Sequence, residues 1–229
     1  MANVAVFDSR YWPGTLPANH GMKGFLGKAT EGYAAYALVN HLLYAQAEGA
    51  KSAGLDVGGY LFYRYTGIPK DAARIYRDFM KLVGNDFPPI VDVEDTLAPK
   101  TSANAQKVWA TVQEVEAAFG EQALIYSANW AWNGWGLQNF LPQGHAIYLR
   151  ALWESDPPPN TPEPGFFGTP VGVQYQLDYN ASGYGSSIDL NAFNDVWYNA
   201  SVFPRVSAPT QPIVVVTHPQ SVIVKVVQV

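Results

Sequence analysis

Short apolar runs and stretches of helical periodicity take turns along the first half of the chain. Asn3 to Phe7 alternates loosely as a strand that stops at Asp8; Gly24 to Thr30 is a second strand and Val57 to Tyr63 a third. Between the second and third, the Ala-rich segment from Ala34, with Leu38, Leu42 and Leu43, predicts a helix closed by Gly54. Pro69 opens another helix, with Ile75, Phe79 and Leu82 facing a core and Gly84 near its end. Ile90 to Glu94 is the fourth strand, Ser102 to Phe119 a helix striped by Val108, Val112 and Val115, and Ala123 to Ser127 the fifth strand. Strand and helix in repeated alternation predict a parallel sheet with right-handed crossovers.

Past Ser127 the helical pattern fades. Ala146 to Trp153, Gly172 to Leu177 and Ser187 to Leu190 read as three more strands joined by loops, one of them the proline-rich stretch from Asp156 to Pro164. Eight strands, five of them alternating with helices where spacing allows, fit an α/β fold of the TIM-like barrel type with a partly degenerate second half. Residues 1–203 would form this barrel and 204–212, rich in Pro, Ser and Thr, a linker. Residues 213–229 would form a C-terminal β-hairpin built from two valine-rich runs. A lone hairpin is marginal, so the tail must pack on the barrel or on a second copy, a route to self-association.

Composition narrows the partners. With 229 residues, 48% of them hydrophobic, the chain can bury a substantial core, and no apolar run approaches the roughly 20 residues of a membrane helix. A net charge of -5 argues against nucleic acid, whose phosphates need a basic surface. The absence of cysteine excludes disulfides, thiolate nucleophiles and Cys-based zinc sites. The opening residues have neither a basic nor a long apolar segment, so the expectation is synthesis in the cytoplasm without a secretory signal.

The candidate chemistry centres on Pro88-Pro89-Ile90-Val91-Asp92-Val93-Glu94-Asp95. Two apart on an extended strand, Asp92 and Glu94 leave the same face of the sheet. Two buried carboxylates that close repel, so one is expected to hold a proton near neutral pH, as a general acid does. In a parallel barrel, chemistry gathers at the C-terminal ends of strands; Asp8 and Asp189 fall there too, and as members of the first and eighth strands they would be neighbours. Tyr63, Tyr126, Trp130 and Tyr175, with Trp12, Trp132, Trp135 and Trp153, fall on strand ends or loops, where flat rings suit the C–H faces of sugars. About half of these are expected to be core filler. Acids and aromatics without a basic patch suggest a neutral glycan.

Together, Asp8, Lys28-Ala29-Thr30-Glu31-Gly32, Gly58-Gly59-Tyr60-Leu61-Phe62, Asp92-Val93-Glu94, Ile125-Tyr126-Ser127, Gln174-Tyr175 and Ile188-Asp189-Leu190-Asn191 resemble glycoside hydrolase family 25, the lysozymes or N-acetylmuramidases often found as phage endolysins. The resemblance runs in order over about residues 3 to 197. It implies a (β/α)5(β)3 barrel with about five helices, and cleavage of the β-1,4 bond from N-acetylmuramic acid to N-acetylglucosamine in bacterial peptidoglycan glycan strands. It further implies Glu94 as proton donor, Asp92 as its partner orienting the 2-acetamido group, retention assisted by that group, and Asp8, Asp189 and Glu31 on the substrate side. No metal or other cofactor is implied. Three places depart from the family's usual pattern: Ser9-Arg10-Tyr11 where a Ser or His-containing loop is usual, Tyr60-Leu61-Phe62 where a Tyr-His-Phe is usual, and strand six, whose usual opening Trp is Tyr148 or is displaced to Trp153. Arg10 could lower the pKa of Asp8, contact a substrate carboxylate, or form a plain surface ion pair.

A non-catalytic glycan-binding or virion structural barrel is the alternative, motivated by the altered loops and the tail. A chitinase-like hydrolase is a third reading, but the long acidic strand signature of that group is missing. A muramidase lacking a secretory signal would reach the cell wall as a phage lysin does, through a membrane lesion, or by unconventional export.

Overall fold

The computed structural model of the protein describes residues 3–9, 21–32, 37–40, 42–128, 131, 134–140, 146–150, 169–179, 188–195, 198–199, 215–218 and 221–224. Of residues 3, 37–38, 138, 146–150, 169–170, 175–179, 215–218 and 221–224 it describes the backbone alone. The fold is mixed α/β: a curled sheet with three α-helices among the described residues.

In chain order the elements are β1 (Asn3–Asp8), β2 (Gly24–Gly32), β3 (Ala37–Val39), α1 (Leu42–Ser52), β4 (Asp56–Phe62), α2 (Pro69–Val83), β5 (Ile90–Val93), α3 (Ser102–Phe119), β6 (Leu124–Ala128), β7 (Ala146–Arg150), β8 (Thr169–Tyr179) and β9 (Ile188–Asn194). From β1 through β2, β4, β5, β6 and β7 to β8 every neighbouring pair runs parallel. The last strand, β9, runs antiparallel to both β8 and β1, so the sheet order returns on itself. Further on, β10 (Val215–His218) and β11 (Ser221–Val224) pair antiparallel in a separate two-stranded sheet. The segment read as a linker lies outside the described residues.

Helices α2 and α3 form where periodicity and end signals agree. Pro69 sits in the first turn of α2, where its missing N–H costs nothing, and Thr101 caps α3 by accepting a hydrogen bond from the Asn104 amide. Gly120 closes α3 at φ 78°, a left-handed conformation that only glycine adopts cheaply. The helix predicted from Ala34 starts later than its composition suggests. Ala37–Val39 is instead the strand β3, folded back on β2 with Thr30 opposite Val39. Asn40 explains the change: its side-chain amide donates to the Lys28 carbonyl at 2.8 Å and its Oδ1 accepts from the Leu42 amide at 3.2 Å, so the hairpin ends and α1 begins at one residue.

Two apolar clusters lie on opposite faces of the sheet, one residue out of phase along each strand. Phe7, Phe25, Val57, Leu61, Val91 and Ile125 pack outward against the helices, and Val6, Leu26, Ile90, Leu124, Phe87 and Phe193 pack inward. Phe87 stacks edge-on against both Phe193 and Tyr198, with ring centroids 5.9 and 5.5 Å away, forming a dry aromatic floor. Glycine makes room for it. A Cβ at Gly24 would come within 2.8 Å of Phe87, and one at Gly172 within 2.5 Å of Phe193. Polar side chains one turn of the pleat above this floor therefore sit over hydrocarbon, which raises the cost of any charge they carry.

Candidate active site

The two-residue period of a strand selects what meets above the floor. Asp8 follows Val4 and Val6 on the inward face of β1, and its register partner across the antiparallel pairing is Asp189. Asp92 follows Ile90 on β5 and is buried, and Glu94, half-buried, lies two residues on. Tyr60 on β4 and Tyr126 on β6 complete the inward set. The phenol of Tyr60 feels Asp8, Asp92, Asp189 and Glu94 together, and burial and these four negative groups hold its pKa well above the usual phenol range. The four predicted acids thus converge around one neutral phenol.

Asp8 is the most constrained of them, with 8% of its surface exposed. Its Oδ2 accepts from Gln174 Nε2 at 2.9 Å and from Asn191 Nδ2 at 3.0 Å. Gln174 is itself oriented, because its Oε1 accepts a hydrogen bond from the Tyr126 hydroxyl. Burial and the facing Asp189 push the Asp8 pKa up to about 7, with Glu94 adding to the rise and the two amides opposing it. The folded chain therefore holds at Asp8 a proton that the unfolded chain has released. The stability this group contributes is fully present below the ordinary carboxylate pKa and is lost as pH rises through about 7. Asp8→Asn is accordingly expected to be stabilising at pH 8, by on the order of 3 kcal/mol, and close to neutral at pH 4. Thermal unfolding of both proteins across that range tests it; a gap that shrinks with rising pH contradicts the burial argument.

Beside this cluster lies an ion network that anchors the segment after β5. Asp95, only 1% exposed, accepts from Arg64 Nη1 at 3.0 Å and from the backbone amides of Tyr65 and Leu97 at 3.0 and 3.2 Å. Arg64 also donates from Nε to Glu31 Oε1 at 2.7 Å, and Lys28 pairs with the same carboxylate. Both cations lie over the Phe62 ring, at 4.3 and 4.6 Å from its centroid. Fixing Asp95 on one side of the chain leaves its neighbour Glu94 on the side of the acids.

Not every predicted residue joins the site. Tyr63 turns to the outer face, buried in the helix-side core, and its hydroxyl donates to Asn104 of α3 at 2.6 Å. Strand parity is the reason: Tyr60 and Phe62 share the inward face, and Tyr63 is out of phase with them. The carboxylate of Glu31 is occupied by Lys28 and Arg64. Trp135 is buried in the outer core. Arg10, Trp130, Trp12, Trp132 and Trp153 lie outside the described residues; Tyr175 belongs to β8, its side chain not among those described. Three partners were not singled out from sequence: Tyr60, Gln174 and Asn191. All three lie in the quoted motifs, and for Tyr60 the two-residue spacing to Phe62 was a usable signal.

A model of the glycosyl hydrolases family 25 matches residues 8–184. The chain belongs to this family. It is a glycoside hydrolase. Solved structures with the same fold include a family 25 glycosyl hydrolase from Bacillus anthracis, at TM-score 0.69 and 20% identity, covering 87% of this chain and 94% of that one. The catalytic domain of an endolysin from a Listeria monocytogenes bacteriophage aligns at TM-score 0.66 and 14% identity, over 87% and 97% of the two chains. A lysozyme from Streptomyces coelicolor aligns at TM-score 0.64 and 20% identity, over 84% and 93%. A search of curated proteins returned no match.

Proposed function

We propose that this family 25 hydrolase is a lysozyme that cleaves the β-1,4 bond between N-acetylmuramic acid and N-acetylglucosamine in bacterial peptidoglycan. The observation that carries the reading is the convergence of Asp8, Asp92, Glu94 and Asp189 on the Tyr60 phenol above an apolar floor. Similarity to solved structures of a lysozyme, an endolysin and a muramidase supports the same substrate class. The ring of strands is read as a TIM-like (β/α)5(β)3 barrel, whose strand ends form the mouth that takes the glycan.

In this mechanism Glu94 gives its proton to the departing glycosidic oxygen. The carbonyl oxygen of the sugar's own 2-acetamido group bonds to the anomeric carbon as the old bond breaks, giving a cyclic oxazolinium ion. Asp92 accepts a hydrogen bond from the acetamido N–H and offsets the positive charge that develops there. Water then opens the ring, its proton returns to Glu94, and configuration at the anomeric carbon is retained. This replaces the second carboxylate nucleophile of ordinary retaining enzymes. Asp8 and Asp189 line the saccharide pocket, with Tyr126, and with Trp130, Tyr175 and Arg10 as further contacts. No metal or cofactor enters these steps. The site of action is the bacterial cell wall.

Tyr60 supplies what ionised carboxylates lack, a hydroxyl that can donate to a neutral sugar. Among the described residues it has no hydrogen-bond partner. Tyr60→Phe is expected to lower kcat/KM on purified cell walls by about tenfold to a hundredfold with little change in thermal stability; unaltered kinetics would remove Tyr60 from the site. The activity itself is tested by mass spectrometry of digested peptidoglycan. New reducing ends on muramic acid support the reading, whereas reducing ends on glucosamine, or none, overturn it.

A further inference from the structure

We propose that Gln174 and Asn191 are positioning residues for the reaction: by saturating Oδ2 of Asp8 they present its other oxygen, as a hydrogen-bond donor, to the bound glycan. The inference rests on the glycan-cleaving reading above and assigns a state and a direction to one of its carboxyls.

The geometry leaves one arrangement. Gln174 receives the Tyr126 hydroxyl on Oε1, which obliges its Nε2 to face Asp8, and that nitrogen lies 2.9 Å from Oδ2. Asn191, the register neighbour of both Val6 and Gln174, sends Nδ2 to the same Oδ2 at 3.0 Å and stays within 3.3 Å of the Asp189 carbonyl. Two donors on Oδ2 occupy its lone pairs, so a proton on this carboxyl belongs on Oδ1. Oδ1 makes no hydrogen bond among the described residues. The groups around it favour a held proton. Asp189 faces Asp8 from β9, Asp92 and Glu94 belong to the β5 side, Tyr60 comes from β4 and Tyr126 from β6, and β2 carries Lys28, whose charge is taken up by Glu31. Among described residues no cation is paired with Asp8. The rise of its pKa to about 7 agrees with that inventory.

A sugar hydroxyl or acetamido carbonyl meeting Asp8 in this state accepts a hydrogen bond from Oδ1. Once Asp8 ionises, the same oxygen meets a lone pair and the contact becomes repulsive. Asp8→Asn reproduces the protonated state: its carbonyl can take both amides and its NH2 donates where Oδ1–H did.

The test is binding of tri-N-acetylchitotriose by calorimetry between pH 5 and 9, with Asp8 titrated in parallel by carboxyl-carbon NMR and assigned through Asp8→Asn. In the wild-type chain affinity should fall by about tenfold as pH rises through the Asp8 midpoint. Asp8→Asn should bind as the wild type does at low pH, and do so across the whole range. Gln174→Met and Asn191→Leu, each removing one donor, should move the midpoint upward, and Asp189→Asn should move it downward. Affinity that strengthens with pH, loss of binding in Asp8→Asn at every pH, or a midpoint that ignores all three neighbouring substitutions overturns the proposal. If Asn191→Leu does not fold, the wild type, Asp8→Asn and Gln174→Met still decide it. None of these readouts requires a bond to break, so a chain inert on cell walls would sink the lysozyme reading and leave the Asp8 result to be judged separately.

Discussion

Glu94→Gln is expected to reduce release of reducing ends from purified cell walls by about a hundredfold to ten-thousandfold, the range a positioned general acid contributes. The substitution keeps the shape of a half-buried side chain and removes only its ability to give up a proton, so folding should be untouched. Binding of the glycan should also survive, which places the loss in kcat and leaves KM near its wild-type value. Circular dichroism, a chitotriose isotherm and a turnover assay on the same preparation separate these cases. Turnover within tenfold of wild type would strip Glu94 of its role. The environment of Glu94 explains why the loss should be large. It lies two residues beyond Asp92 and shares its surroundings with Asp8, Asp92 and Asp189, so the substitution removes the group assigned to protonate the leaving oxygen.

The second large effect falls on stability. Arg64→Leu is expected to cost about 3 kcal/mol, or a fall in Tm on the order of 6–12 °C, because it leaves the 1%-exposed Asp95 without its cation. Asp95 would keep the Tyr65 and Leu97 amides, and Glu31 would keep Lys28, which is why the figure is not larger. Adding Asp95→Asn to Arg64→Leu should recover part of the loss, since the uncompensated charge is then gone; a double-mutant cycle reads the coupling directly. Added salt should change this coupling little, because both partners are largely shielded from solvent. A single-variant cost below about 1 kcal/mol would mean that the network behaves as an ordinary surface pair. Since Asp95 is bonded to Glu94, the Arg64 variant should also lose turnover at temperatures where it remains folded.

Much of this arrangement was legible before any coordinates. The helix Ser102–Phe119 matches its predicted span because an apolar stripe, a Thr cap and a terminal glycine all agree. The meeting of Asp8 and Asp189 followed from strand order alone, and the register pairs them. The misreadings have physical causes. Ala37–Val39 looked helical because alanine and leucine favour helices, but pairing with β2 and the two-way hydrogen bonding of Asn40 outweigh that weak preference. Tyr63 stands at a strand end, where a ligand contact is expected, but strand parity turns it outward and Tyr60 inward. What the motif around Glu31 does not reveal is its ion partner: Arg64 lies 33 residues away, and no local pattern encodes its approach. Gln174 and Asn191 lie in the quoted motifs, but neutral amides carry no charge signature that would mark a role for them. Their importance rests on a contact with a residue 166 and 183 positions distant.

That separation has a bearing on how the enzyme comes into being. The carboxyl at position 8 acquires Asn191 and its facing acid only when β9 inserts between β8 and β1, and Gln174 only once β8 is also in place. Contacts so remote along the chain are late and slow to form. On the proposed function, a polypeptide whose central strands and helices have formed but whose last strand is not yet in place lacks the surroundings of Asp8 on which glycan contact depends.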